Sequence, residues 1–342
     1  METEFLLLKR ILNQLCRISE IKTTFKNASK ATFNPFMMLQ LKIKSQLILV
    51  ITLTFANFIY AQTSKEKSNS IIAKGAVLTK LSDQFSFTEG PAADKKGNIY
   101  FTDQPNNRIM KWSVNGELSV FMENAGRSNG LYFDQAGNLL ACADEKNELW
   151  KIDQNKNHTV ILNNFEGKRL NGPNDLWVDP KGGIYFTDPF YQRDYWKHNS
   201  KEIEKECVYY LSPDKSKIIN VENNLIKPNG IIGTSDGKTL YVADIGANKT
   251  YSYAIESNGS LGKKTLFTES GSDGMTIDNF GNIYLCGKGV TVFNPQGEKI
   301  AYIDVPEPWT ANVCFGGKKF KTLFITAGKS VYTIEMSVRG MK

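Results

Sequence analysis

The sequence predicts an all-β fold, a six-bladed β-propeller of four-stranded blades with its ring closed by an N-terminal strand. Three observations predict it: one hairpin-like phrase recurs six times, its spacing suits one blade per copy, and helical patterning is nearly absent after residue 61. Repetition at about 40–45 residues marks a propeller, because one four-stranded unit cannot bury its own faces and must pack against neighbours.

The copies begin EGPAADKKGNIYFTD at Glu89, NGLYFDQAGNLLACAD at Asn129, NDLWVDPKGGIYFTD at Asn174, NGIIGTSDGKTLYVAD at Asn229 and DGMTIDNFGNIYLCG at Asp273, with a looser NVCFGGKKFKTLFITA at Asn312. In the first five a turn glycine follows eight positions later, at Gly97, Gly137, Gly182, Gly237 and Gly281, and these glycines are 40, 45, 55 and 44 residues apart. That fixed offset argues against a β-sandwich with chance hairpins. Each copy runs on into further strand-like stretches, such as RIMKWSV and LSVFM within 108–122. The sixth ends at its third strand, SVYTIEM, so GAVLTKLSD (75–83), ahead of the first copy, is expected to supply the missing outer strand.

Residues 1–61 read as a leader and 62–342 as a single propeller domain. Lys42 and Lys44 precede LILVITLTFANFIY, 14 mostly apolar residues, and then Ala61-Gln62. This is the charged, apolar and small-residue order of a secretory signal, and it is short against the about 20 residues of a membrane span. Export to the periplasm or the medium is expected, with an uncleaved signal anchor as the alternative. Met37 and Met38 are candidate true starts. The net charge of +7 is mostly the leader's: it holds eight basic and three acidic residues, and the remainder 34 and 32. No nucleic-acid partner is expected, and no membrane association once the signal is removed. Oligomeric state is not fixed by the sequence. Four cysteines of the body, Cys142, Cys207, Cys286 and Cys314, lack CxxC spacing, so no disulfide or zinc motif is assigned.

In a propeller the first strand of each blade lines the central channel, so the residue that starts it lies at one channel mouth. Glu89, Asn129, Asn174, Asn229, Asp273 and Asn312 are therefore expected to converge, and all carry side-chain oxygen. Adjacent Gly or Pro residues are expected to turn the backbone sharply into the strand. Carboxylates and amides aimed at one desolvated point call for a cation, and an all-oxygen set suits Ca²⁺. Mg²⁺, Mn²⁺ or Zn²⁺ stay open as alternatives. Asn129 and Asn312 are equally well explained as turn residues. Asp103, Asp144, Asp188 and Asp244 recur at the ends of second strands, which favours a structural task bonding loop N–H groups, with Asp188 the expected exception.

Residues 85–340 resemble the gluconolactonase/regucalcin (senescence marker protein) family of six-bladed calcium propellers, on FTEGP (87–91), RLNGPNDLWVDPKGGIYFTDP (169–189), KPNGI (227–231) and SDGMTID (272–278). The resemblance implies metal ligands at Glu89, Asn174, Asn229 and Asp273; it does not carry the substrate, since members act on sugar lactones, other lactones and organophosphates, and a small-molecule lactone is the expectation. Bacterial members often carry Ser where this chain has Gly172. The expected reaction is Ca²⁺-dependent opening of a sugar lactone, with Asp273 as the expected catalytic carboxylate and Glu89 mainly a ligand. The chain has only His158 and His198, neither at the repeat position, and no GxSxG, so a histidine-based mechanism is not expected.

Asn129, Asn171, Asp175 and Asn312 are candidate substrate-binding residues. So are Tyr191, Arg193 and Trp196, which lie in the insertion PFYQRDYWKHNSKEIEKE (189–206) after the second strand of the third copy. A loop there emerges on the face of the strand starts, so it should overhang the metal as an aromatic lid. Hydrolysis of other lactones or phosphotriesters, and non-catalytic binding of calcium or a sugar, are the alternatives.

Overall fold

The structure is a computed structural model that describes residues 71–341. The leader, its hydrophobic run, the expected cleavage point and Cys16 lie outside the described residues.

Six antiparallel four-stranded sheets make the propeller. Blades 1 and 2 start from the inner strands Thr88–Ala93 and Ser128–Phe133, blades 3 and 4 from Leu176–Val178 and Pro228–Gly233, and blades 5 and 6 from Met275–Ile277 and Asn312–Gly316. Blade 6 takes its outer strand from Thr79–Ser82, which pairs with Ser330–Glu335 and closes the ring as the sequence implied. The only helix among the described residues is a 3₁₀ turn at Gln104–Asn106. A short hairpin, Asn164–Phe165 with Lys168–Arg169, was not foreseen.

Position in the blade explains each strand's composition. Second strands such as IYFTD (Ile99–Asp103), LLACA (Leu139–Ala143) and IYFTD (Ile184–Asp188) are buried along their whole length, because neighbouring blades cover both faces. They therefore read as continuous apolar runs instead of alternating. Outer strands such as HTVIL (His158–Leu162) and LGKKTLFT (Leu261–Thr268) carry the exposed residues. Packing between blades is close: a Cβ on Gly233 of blade 4 would meet Trp177 of blade 3 at 2.3 Å.

Two devices aim the residues that start five of the six inner strands. In blades 1, 2 and 4 the register slips just past it, between Glu89 and Ala92, Ser128 and Leu131, and Pro228 and Ile231. Such a bulge bends the strand and redirects the side chain. In blades 3 and 5 the residue precedes the strand and is pinned by its own N–H: Asn174 donates to the Thr187 carbonyl at 2.9 Å and Asp273 to the Cys286 carbonyl at 3.3 Å.

The glycines beside these residues have a different task from the one expected. Of Gly90, Gly130, Gly230 and Gly274, only Gly90 has a left-handed φ, at 43°. What they share is the approach of the next blade. A Cβ would fall 2.1 Å from the Asn129 carbonyl oxygen at Gly90, 2.6 Å from that of Asn174 at Gly130, 2.3 Å from that of Asp273 at Gly230 and 1.8 Å from Asn312 Cγ at Gly274. The glycines form a seam along which blades 2, 3, 5 and 6 press their site residues against the preceding blade.

Candidate active site at the channel mouth

Four of the six strand starts, Glu89, Asn229, Asp273 and Asn312, act directly on one another. The Asn312 side-chain amide donates to Glu89 Oε2 at 3.3 Å and to Asp175 Oδ2 at 3.5 Å. Gly90 N–H also donates to Glu89 Oε2, at 2.7 Å. Asn229 bonds the Asp273 carboxylate, and its amide donates to the Tyr191 hydroxyl at 3.1 Å. The Trp309 indole N–H donates to Asp273 Oδ2 at 2.6 Å. Asn129 and Asn174 stand beside the seam glycines of the preceding blades and are buried, as are Glu89, Asp175, Asn229 and Asn312. Asp273 stays partly exposed at the mouth. Behind this cluster the channel continues as a cavity of about 800 Å³. Asp175 and Asn312 line its inner end, and the turns around Asp94, Gln135 and Pro180 line the opposite face.

Three carboxylates crowd this point, and they are short of compensation. Burial pushes Glu89 well above the ordinary carboxyl range, and the charges of Asp273 and Asp175 push the same way. Burial raises Asp175 to about 7 and Asp273 to about 6. Bonds from Trp309 and Asn229, and the charge of Arg193, pull Asp273 back down.

Desolvated negative charge with amide oxygens at hand fits a hard cation, and Glu89, Asn229 and Asp273, with the buried Asn174 on an adjacent blade, are the residues that could hold one. Among the described residues no trio of His, Cys, Asp or Glu is arranged as a metal site; this donor set contains two carboxylates and relies on amide oxygen for the rest. The four cysteines of the body are buried free thiols.

The insertion at 189–206 reaches the mouth, but its aromatics are engaged. Arg193 Nε donates to Asp144 Oδ2 at 2.7 Å, the Tyr195 hydroxyl to the same oxygen at 2.6 Å, and the Trp196 indole to the Asp144 carbonyl at 2.7 Å. Trp196 is buried and stacks on His198. Its ring end also explains Gly172: a Cβ there would sit 3.1 Å from both Trp196 Cη2 and Asp144 Oδ1, at a φ of 152°. Arg193 and Tyr191 remain against the cluster. Arg193 acts electrostatically on Asp273 and is acted on by Glu89. Asn171 is turned away: its amide donates to the Lys205 carbonyl at 2.9 Å, at the base of the insertion.

The second-strand aspartates divide unexpectedly. Asp103 accepts from Ser86 and Phe87 N–H, Asp188 from Asn171 and Gly172 N–H, and Asp244 from Ile226 and Lys227 N–H. These are the anticipated loop bonds, and Asp188 is no exception to them. The exception is Asp144, which binds the insertion and Gln104 Nε2 instead.

Sequence reasoning missed Trp309 and the role of Asp144. The available signal for Trp309 was PEPW directly ahead of the sixth copy, in a connection that opens on the site face.

The family described as the SMP-30/gluconolactonase/LRE-like region matches residues 87–329. The gluconolactonase of Zymomonas mobilis is 29% identical over 303 residues, covering 80% of this chain and 85% of that protein. The diisopropyl-fluorophosphatase of Loligo vulgaris is 25% identical over 296 residues, covering 78% and 94%. The solved structure of a gluconolactonase from Xanthomonas campestris superposes with a TM-score of 0.73 at 27% identity, covering 78% of this chain and 91% of that one.

Proposed function

The chain belongs to the SMP-30/gluconolactonase/LRE-like family, and from that premise we propose that it hydrolyses lactones at the channel mouth, sugar lactones of the gluconolactone kind first. The observation that carries this reading is the cluster of Glu89 and Asp273, two mutually repelling carboxylates, with buried Asn229 and Asn312 amides bonded to them and the cationic Arg193 alongside.

Ca²⁺ is the cofactor we assign, held by Glu89, Asn174, Asn229 and Asp273; Mg²⁺, Mn²⁺ and Zn²⁺ are the comparison ions. Such an ion supplies Lewis-acid polarisation of an ester carbonyl. The remaining work falls to the chain's own residues. Asp273 is the general base: its carboxylate stays partly exposed at the mouth, where it can accept a proton from water. Trp309 and Asn229 hold it in one orientation. Arg193 and Tyr191 form the wall that meets substrate hydroxyls, and the insertion that carries them screens the reacting carbonyl from bulk water.

The test is hydrolysis of glucono-1,5-lactone by the purified protein, read as acid release above the spontaneous rate. Activity lost with EDTA and restored by Ca²⁺ supports the proposal; a folded, calcium-loaded protein without activity rejects this substrate. The similarity to the Loligo vulgaris diisopropyl-fluorophosphatase makes phosphotriesters the second class to assay.

A further inference from the structure

Trp309 lies outside the repeated phrases, between strand Lys299–Ile303 of blade 5 and strand Asn312–Gly316 of blade 6. It is a large apolar side chain left 39% exposed at the mouth, and its only polar atom is bonded to Asp273. The loop that carries it is fixed on both sides. Thr310 N–H donates to the Gly287 carbonyl at 2.7 Å and Ala311 N–H to that of Thr326 at 2.9 Å. Before it, Glu307 Oε1 accepts from the Ser330 hydroxyl at 2.6 Å and the Tyr332 hydroxyl at 2.8 Å. The indole is thus held by one edge while part of its surface is left to solvent.

The insertion's aromatics are engaged by comparison, with Phe190 packed on Trp196 at 5.8 Å. Both Lys227 Nζ, at 4.5 Å, and the Arg193 guanidinium, at 5.7 Å, lie over the Tyr191 ring. Arg127 covers Tyr195 at 4.5 Å, and Trp196 is buried. An indole face is electron-rich and favours the weakly positive C–H face of a saturated ring. Its bond to Asp273 places that face next to the carboxylate.

We propose that Trp309 determines specificity at this site: its open face receives the ring of a cyclic substrate, while its N–H positions Asp273. The inference rests on the lactonase reading above and assigns it a selecting residue. It also implies that an open-chain acid product loses the ring contact and is held less tightly than the lactone.

Two variants separate the roles, since Trp309→Phe keeps a flat ring without a donor and Trp309→Leu removes both. As a loop residue with an exposed ring, neither change should move the melting temperature by more than about 2 °C. Calorimetric titration with Ca²⁺ should show about tenfold weaker binding in both variants, the usual scale for losing a partner of a ligating carboxylate. On glucono-1,5-lactone both should lose about tenfold in kcat, whereas KM should rise about tenfold for Leu and less than about threefold for Phe. Binding of the unreactive D-glucono-1,5-lactam should weaken in the order wild type, Phe, Leu. Wild-type KM and lactam affinity in Trp309→Leu overturn the ring contact; unchanged calcium affinity and kcat in Trp309→Phe overturn the positioning. A wild-type protein without lactone turnover overturns the functional reading instead, and the calcium and lactam titrations then decide Trp309 alone. A wild-type protein that binds neither probe overturns this inference too.

Discussion

Arg193 of the blade 3 insertion and Asp144 of blade 2 form an ion pair at 2.7 Å, with the aspartate almost fully buried and the arginine partly exposed. The Tyr195 hydroxyl and the Trp196 indole converge on the same residue. One aspartate therefore latches a loop belonging to the neighbouring blade and sets where Arg193 stands over the acid cluster.

Asp144→Ala should release that latch. Charge-assisted hydrogen bonds of this kind contribute about 2 kcal/mol in partly buried settings, so a loss of about that size is expected in urea unfolding. KM for a lactone should rise about tenfold while calcium affinity stays near wild type. Limited trypsin digestion provides a direct check, because cleavage within 189–206 should become faster. Unchanged digestion would show that the loop holds its place by other means.

The carboxylates at the mouth should separate by function. Asp273→Asn should lower kcat by about 10²–10⁴-fold, the span of general base catalysis, while still binding calcium at raised concentration. Glu89→Gln should act first on calcium affinity, with turnover partly recovered at saturating Ca²⁺. Calorimetry and kinetics on the same preparations compare the two. A mere binding propeller would show no turnover to lose.

Stability of the metal-free protein should depend on pH in an unusual direction. Glu89, Asp175 and Asp273 have folded values raised above the ordinary carboxyl range, the last two to about 7 and about 6. A raised carboxyl binds its proton more tightly in the folded chain than in the unfolded one, so its contribution is full below about 4 and is lost as pH rises through about 6–7. The melting temperature of EDTA-treated protein should fall between pH 5 and 8, and saturating Ca²⁺ should flatten that slope. A melting temperature that rises over this interval without metal would contradict the assigned shifts.

Gly274→Ala tests the seam. Its Cβ would overlap the Asn312 side chain, which has its own bonds to Glu89 and Asp175. Overpacking typically costs about 1–3 kcal/mol, and the displaced Asn312 should also weaken calcium binding. If this variant binds calcium as the wild type does, the seam has no bearing on the site.

Much of this was legible in the sequence for a physical reason. A propeller repeats its local problem blade by blade, so the eight-residue offset from Glu89 to Gly97 and its later copies recorded both the inner strands and the residues at their starts. Features that depend on a neighbouring blade left no such record. Gly274 reads as an ordinary turn glycine until Asn312 is seen against it. Asp144 and Asp188 occupy equivalent positions, and only the fold shows that one meets Arg193 and the other its own blade's N–H groups. Trp309 sits in a connection with no repeated counterpart, where periodicity is silent.

The strand Thr79–Ser82 has a consequence beyond completing blade 6. Its pairing with Thr333, Tyr332 and Val331 joins segments about 250 residues apart, while the blade hairpins join near neighbours. Closing a span that long instead of one blade's worth adds only about 1.6 kcal/mol of chain entropy, so a late-docking strand is thermodynamically inexpensive. Without it, Ser330–Glu335 becomes an open sheet edge, a template for another chain. A chain starting after Ser82 should elute from a sizing column as dimers and larger species, whereas the intact protein should show no concentration-dependent growth through this edge. Four residues thus exchange the longer edge of Ser330–Glu335 for a short, lysine-bearing one, a form of edge less suited to pairing with a copy.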